Sequence, residues 1–333
     1  MSERHSRSLI LQVPLMSNAH LKSESQSFAL LRVIGPGILV AATGVGAGDL
    51  ATGALVGSTL GVAVLWAVVL GAGLKFVLNE GLARWQLATG TTLLEGMVQY
   101  FRQSISGSVS RLPADVDLVH DDRTLSACGI ALHAICPISD AASDKVTYGI
   151  AQSLLAVALV ELGGYKLFER VMSVCIGLMF LTVVATAVSV GPAWSEIGQG
   201  LIMPRIPEMG IDSLRWTVAL IGGVGGTLTV LCYGYWIREE GRNSSADIHA
   251  SRIDLAVGYL MTALFGMAMV IIGSRISVEG KSAELLVHLS AQLEQELGAV
   301  VSWAFLLGAW EPSSAVCWES GRACRICLLT SSV

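Results

Sequence analysis

Apolar residues in this chain gather into long uninterrupted runs and do not alternate with polar ones. A helix needs roughly twenty such residues to cross about 30 Å of hydrocarbon. Runs near or above that length fall at about 33–57, 60–79, 146–163, 171–192, 216–237 and 252–275, with a shorter one at 297–310. The stretch from Val171 to Pro192 contains no charged residue at all. The pattern predicts an all-α protein, a polytopic bundle of transmembrane helices with six spans and a stub. Short polar links join the runs. The longest, 191–215, carries Pro192, Pro204 and Pro207 and reads as a loop.

Two stretches break the pattern. From Arg102 to Arg123 the chain reads RQSISGSVSRLPADVDLVHDDR, followed by the apolar LSACGIALHAICPI, which is too short to span and resembles the second half of a helix. After FLLGAW, the segment EPSSAVCWESGRACRICLLTSSV has neither helical period nor apolar length. The predicted layout is a polar N-terminal tail over 1–32 and a transmembrane domain over 33–310, with an anomalous polar insert at 102–124 in place of a helix. An anomalous non-helical tail follows at 311–333.

Charge placement bears on the insert, because Lys and Arg concentrate in cytoplasmic loops. If the chain crosses near residue 110, Arg32, Arg84, Arg102, Lys166, Arg170, Arg238, Arg242 and Arg252 share the side of the N-terminal tail. Without that crossing, the basic link REEGRNSSADIHASR at 238–252 lies outside. The expectation is therefore a multi-pass cell-membrane protein with a cytoplasmic N-terminus, whose sequence was written for a helix missing near residue 110. Local reading-frame shifts across about 103–124 and after Trp310 account for both anomalies.

Composition agrees with the bilayer class: 53% of the 333 residues are hydrophobic and 14% charged, with a mean hydropathy of +0.64. The net charge of -5 is small, and the scattered basic residues form no stripe for nucleic acid. The seven cysteines show no paired extracellular framework. The first apolar run is too long for a signal peptide, so no cleavage is expected.

Glycine interrupts two runs, IGPGILVAATGVGAGDLATGALVG at 34–57 and VALIGGVGGTLTVLCYGYW at 218–236. Counting the missing helix, these are the first and the sixth. Glycine breaks at matching places in two halves point to an inverted-repeat transporter, since unwound backbone there offers carbonyls and helix ends to an ion. Close packing through small residues is the competing reading. Asp49 follows the first break directly, and a mid-membrane carboxylate demands a partner or a role. A carboxylate beside free carbonyls suits a hard divalent cation, and the same group could carry a proton. The metal reading takes Asp49 and the backbone at Gly46, with Thr43, Thr227 and Thr229 as hydroxyl ligands and Thr52 as a further candidate. A salt-bridged interfacial Asp49, and threonines that bond their own helix backbone, are the alternatives.

Other groupings carry less. No strand precedes either glycine run, so a dinucleotide loop is rejected. Cys128, His133 and Cys136, and the Cys324–Cys327 pair, lack the second half of a structural zinc site and read as accidents of spacing. Lys75, Glu80, Glu161 and Glu169 are expected to snorkel to headgroups. No nucleophile–base pair points to an enzyme.

The run GPGILVAATGVGAGDLATGALVG, the following LATGTTLLEG, LSACGIALHAICPI, YGIAQSLLAVALVELGGYKLFERVM and GGVGGTLTVLCYGYW together resemble the Nramp family of proton-coupled divalent-metal transporters. The resemblance covers about 31–101 and 125–310. It implies a LeuT-type inverted-repeat fold of two five-helix halves, with the ion held between the first and sixth helices. Family members have about eleven spans, so the fold is expected to be incomplete here, without the third helix and everything after a partial eighth. Where the family has Asp-Pro-Gly-Asn, this chain has Gly46-Ala47-Gly48-Asp49. The sixth-helix Met-Pro-His is absent, and Thr227 or Thr229 lies nearest its place. Without the thioether, oxygen ligands favour Mg²⁺, Ca²⁺ or Mn²⁺ over iron.

The implied partners are a divalent cation (Mg, Mn or Fe), protons and the lipid bilayer, with no cofactor. Two further readings stay open: a cation-coupled organic-solute transporter of the same fold, and a non-functional membrane polypeptide from a frameshifted gene. Weak or absent transport is expected of this chain as it stands.

Overall fold

A computed structural model describes residues 35–44, 47–93, 95–97, 100, 132–133, 136–190, 193–207, 210–226 and 228–275, and scattered positions between 290 and 306. The predicted tails, the insert at 102–124 and the junction after Trp310 lie outside the described residues.

Among the described residues the secondary structure is helical, without strands. The helices are α1 (Gly35–Gly44), α2 (Ala47–Leu60), α3 (Leu65–Thr89), α4 (Ala141–Ser189), α5 (Trp194–Ile202), α6 (Ile211–Gly223), α7 (Leu228–Glu239) and α8 (Ile248–Arg275). Two segments, Thr52–Thr89 and Ser245–Arg275, are long and apolar enough to cross a bilayer. A third arises if Ile176–Ser189 and Trp194–Ile202, bent by 115°, count as one broken span.

The order of elements repeats. Each glycine-rich run carries two described helices, α1 and α2 on either side of residues 45–46, which lie outside the described residues, and α6 and α7 on either side of the Val224–Gly226 turn; each pair is followed by one long apolar helix, α3 and then α8. The packing is crossed: α8 lies along α1 and α2, while α3 lies along α6 and α7. The pairs also meet head to tail, α2 against α6 and α1 against α7. Small residues bring α8 close to its partners. A Cβ at Gly57 would fall 2.2 Å from the Val270 carbonyl oxygen, and one at Gly273 2.1 Å from that of Ala54. The core at this seam holds Val56, Val64, Val68, Met269 and Ile272, all fully or almost fully buried.

Three expectations change in detail. The runs at 146–163 and 171–192 join into the single 49-residue α4, because the link GYKLFER between them contains no proline to stop a helix. The predicted loop at 191–215 contains α5, whose Ile197 is buried while Gly200 packs against the Val62 carbonyl. Only residues 193, 203–207 and 210 of that link are described as non-helical, and Pro204 and Pro207 fall among them. The second span runs past its predicted end at 79 to Thr89, where Gly90 closes it at φ 75° with its N–H on the Gln86 carbonyl.

Candidate metal-transport site

The end of α1 meets the turn between α6 and α7. α6 ends at Gly223, and Val224–Gly226 leave the helix, with Gly225 at φ 79° and Gly226 at φ 50°. Residues with a Cβ rarely adopt this left-handed backbone, so the chain can turn here only because glycine stands at both positions. The Val224 N–H still bonds the Leu220 carbonyl at 3.2 Å, and the Gly226 N–H turns back to Gly223 at 3.3 Å. Beyond them the ladder stops, which leaves carbonyls at the end of α6 outside the helical pattern. Gly44, the last residue of α1, meets this turn: a Cβ there would lie 3.0 Å from the Gly225 Cα.

A cavity of about 20 Å³ sits at the meeting point, lined by Gly44, Thr52, Gly223, Gly225, Thr262 and Phe265 among others. The irregular backbone at Val224 and Gly225 forms part of its wall. Of the predicted ligands, Thr229 is buried at the start of α7. Thr43 and Asp49 lie on helical backbone in α1 and the first turn of α2, but their side chains are outside the description. Gly46 and Thr227 lie outside the described residues. Thr52 lines the cavity as its spacing allowed. Thr262 was not foreseen: it is one hydroxyl in the apolar α8, bonded to the Gly258 carbonyl at 3.0 Å, and sequence offers no sign that it faces the α6–α7 turn.

A second polar centre, on the N-terminal side of α8, was missed as well. Asp254 is fully buried. Its Oδ1 accepts the Gly37 N–H at 2.6 Å, while Oδ2 accepts the Tyr233 hydroxyl at 3.0 Å and Arg242 Nη1 at 3.1 Å. Tyr233 also donates to the Ser251 carbonyl at 3.2 Å. Breaking such a buried pair by removing one partner costs about 3–5 kcal/mol.

α3 contributes further polar contacts toward the same end. Asn79 donates to the Tyr259 hydroxyl at 3.2 Å, and Gln86 donates to the Gly234 carbonyl at 2.5 Å. Glu80, expected to snorkel, instead bonds Arg84 at 2.7 Å and Arg252 at 2.6 Å; its acidic oxygen lies between two guanidinium groups brought by its own helix and by α8. The side chains of Glu161 and Glu169 lie outside the description. Beyond the end of α3, Glu95 accepts both Arg238 Nη1 at 2.9 Å and Nη2 at 2.8 Å and reaches back to the Thr92 N–H at 2.8 Å. The hydrogen-bonded Arg238 guanidinium holds the Glu95 carboxyl down to about 2. His133, from the loosely metal-like group, bonds Asp144 at 2.6 Å.

Two helix pairs meeting around a cavity where Gly44 touches the Gly225 turn, each backed by the other repeat's long helix, define a membrane protein of the LeuT-type inverted-repeat class. Solved structures share this fold: a manganese transporter from Eremococcus coleocola, in complex with an aromatic bis-isothiourea compound, superposes with a TM-score of 0.68 at 16% identity, covering 94% of this chain and 67% of that one. Residues 37–318 match the family model described as natural resistance-associated macrophage protein-like. The chain belongs to the Nramp family.

Curated relatives include the divalent metal cation transporters MntH of Verminephrobacter eiseniae, 23% identical over 256 residues, and of Caldanaerobacter subterraneus subsp. tengcongensis, 22% identical over 322 residues. The matches cover 74% and 92% of this chain, and 56% and 73% of the respective relatives. The chain thus spans little more than half the length of the first of them.

Proposed function

We propose that the protein, in its intact form, is a secondary transporter of a divalent metal cation, coupled to protons. The observation that carries this reading is the meeting of Gly44 with the Gly225 turn around a cavity lined by Thr52 and Gly53 of α2, the helix whose first turn bears Asp49. A carboxylate at a helix junction, with hydroxyls and backbone carbonyls nearby, offers hard oxygen ligands. Asp49, Thr43, Thr229, Thr227 and the backbone at Gly46 are the proposed ligand set, and Thr52 and Thr262 join it from the cavity wall. With no thioether among them, Mg²⁺ or Mn²⁺ is favoured over Fe²⁺. A space of about 20 Å³ fits an ion or a water, whereas an organic solute needs a pocket of roughly 300 Å³ or more. Cation cargo is therefore preferred to an organic solute. The basic link at 238–252 and Arg84 support a cytoplasmic N-terminus.

The deciding experiment is uptake of Mn²⁺ and Mg²⁺ into proteoliposomes under a proton gradient, using the repaired full-length gene and its Asp49→Ala variant. The variant is expected to lose most of the flux. Equal uptake by both proteins removes Asp49 from the mechanism.

A further inference from the structure

The short helix α5 faces three different surroundings. We propose that α5 is an interfacial helix: it lies along the plane of the membrane and grips the boundary between headgroups and acyl chains with Trp194, Leu201 and Ile202. Its partner is a lipid surface. The proposal rests on the membrane class of the protein and is independent of its cargo.

At about 100° per residue, the side chains of α5 fall into three sectors. Ile197 and Gly200 form the first, and both are buried. They face protein: α5 packs on the turn Gly61–Val64, which joins α2 to α3, and on α3 itself. A Cβ at Gly200 would fall 2.1 Å from the Val62 carbonyl oxygen. Trp194, Leu201 and Ile202 form the second sector and are exposed, Trp194 at 65% and Ile202 at 80%. Ser195, Glu196 and Gln199 form the third, exposed and polar. A helix on a soluble globule needs two faces, one for the core and one for water. An exposed apolar sector beside a polar one calls for a third medium, and lipid supplies it.

The direction of the helix agrees. α5 turns by 115° from Ile176–Ser189, so where that apolar segment crosses the bilayer, α5 runs nearer to the membrane plane than to its normal. The apolar sector is continuous with exposed Val188 on the last turn of α4 and with Met203 just past α5. Trp66, in the first turn of α3, donates its indole N–H to the Arg205 carbonyl at 3.2 Å. Trp66 and Trp194 therefore stand at the same end of the bundle, and tryptophan collects at the membrane boundary.

The chain after α5 argues against deeper insertion. Residues 203–207 are non-helical, and Pro204 and Arg205 are exposed. Open backbone and a guanidinium among acyl chains would lack partners, whereas headgroups and water satisfy both. With nine residues, α5 is also only about 14 Å long, less than half of the roughly 30 Å of hydrocarbon. The bent pair is therefore a crossing segment followed by a surface helix, and not one broken span.

The test is spin labelling in liposomes. Thiols are introduced one at a time by Trp194→Cys, Glu196→Cys, Gln199→Cys and Ile202→Cys, all at exposed positions, and the labelled parent chain is subtracted as background. Collision with oxygen, which concentrates among acyl chains, is compared with collision with a water-soluble nickel chelate. Labels at 194 and 202 are expected to favour oxygen and to share one depth, about 5–10 Å into the boundary. Labels at 196 and 199 are expected to favour nickel severalfold. A preference for nickel at all four positions places α5 in water and overturns the proposal. A depth difference near 12 Å between 194 and 202, the rise of about eight residues, stands the helix on end and overturns it too. Each labelled protein must keep the monodisperse detergent peak of the parent, and Leu201→Cys, in the same sector, replaces either apolar position that does not. The readout needs no transport, so it stands whether or not the uptake experiment succeeds.

Discussion

Single residues decide the geometry of the centre. Gly225 and Gly226 hold left-handed backbone where α6 gives way to α7, and a Cβ at Gly225 would also come within 3.1 Å of Tyr259 Cε1. Gly225→Ala is expected to lower stability by about 1 kcal/mol or more, read as a fall in the melting temperature of the detergent-purified protein. No change in melting temperature would mean that the turn relaxes to ordinary φ. Asp49 stands out in the sequence because it follows a glycine run. The buried pairing of Asp254 does not, because Asp254 stands near the polar start of a span, where an acid reads as interfacial, and its partner Gly37 is 217 positions away.

At the scale of elements, the end of α3 is fixed to the end of α7 by Glu95, which caps through Thr92 and pairs with Arg238 in two hydrogen bonds. Its folded-state pKa is depressed to about 2, below the ordinary value of 4.5. The pair's contribution is therefore complete above pH 4.5 and is lost as the pH falls toward 2. Because Arg238 and Glu95 are partly exposed, that contribution is about 1 kcal/mol. Glu95→Gln is expected to melt lower than the parent at pH 7, and the gap should close as both are titrated toward pH 2. A gap that persists unchanged in acid assigns the effect to something other than the ion pair. Helix ends illustrate the same scale. Gly90 stopped α3 as a glycine cap does, but α4 runs through a link that a reading of apolar runs alone divides in two.

For the molecule as a whole, the crossed arrangement means that neither repeat is a unit by itself, since α8 supports α1 and α2 while α3 supports α6 and α7. The α2–α8 seam is the joint between repeats. Gly273→Leu would drive a side chain into the Ala54 carbonyl and is expected to cost at least 2–3 kcal/mol, with loss of the monodisperse peak in detergent chromatography. Retention of that peak with unchanged melting would show that the seam tolerates separation. This chain covers 56% of the first curated relative it matches, and the segments at 102–124 and 311–333 depart from the apolar pattern of the sequence. Independent resequencing of the gene is expected to show frame-restoring differences at both places, and an unbroken frame on two reads would end that explanation.

The membrane class, the helical content and the glycine-rich break at Val224–Gly226 were determined by the sequence itself, because bilayer thickness, helix rise and glycine's backbone freedom act on neighbours along the chain. Only the tertiary structure decided that Gly44 touches Gly225, that Thr262 turns to the same cavity and that Asp254 grips α1. Those pairings depend on which helix faces which across hundreds of residues, and no local run of amino acids specifies that choice.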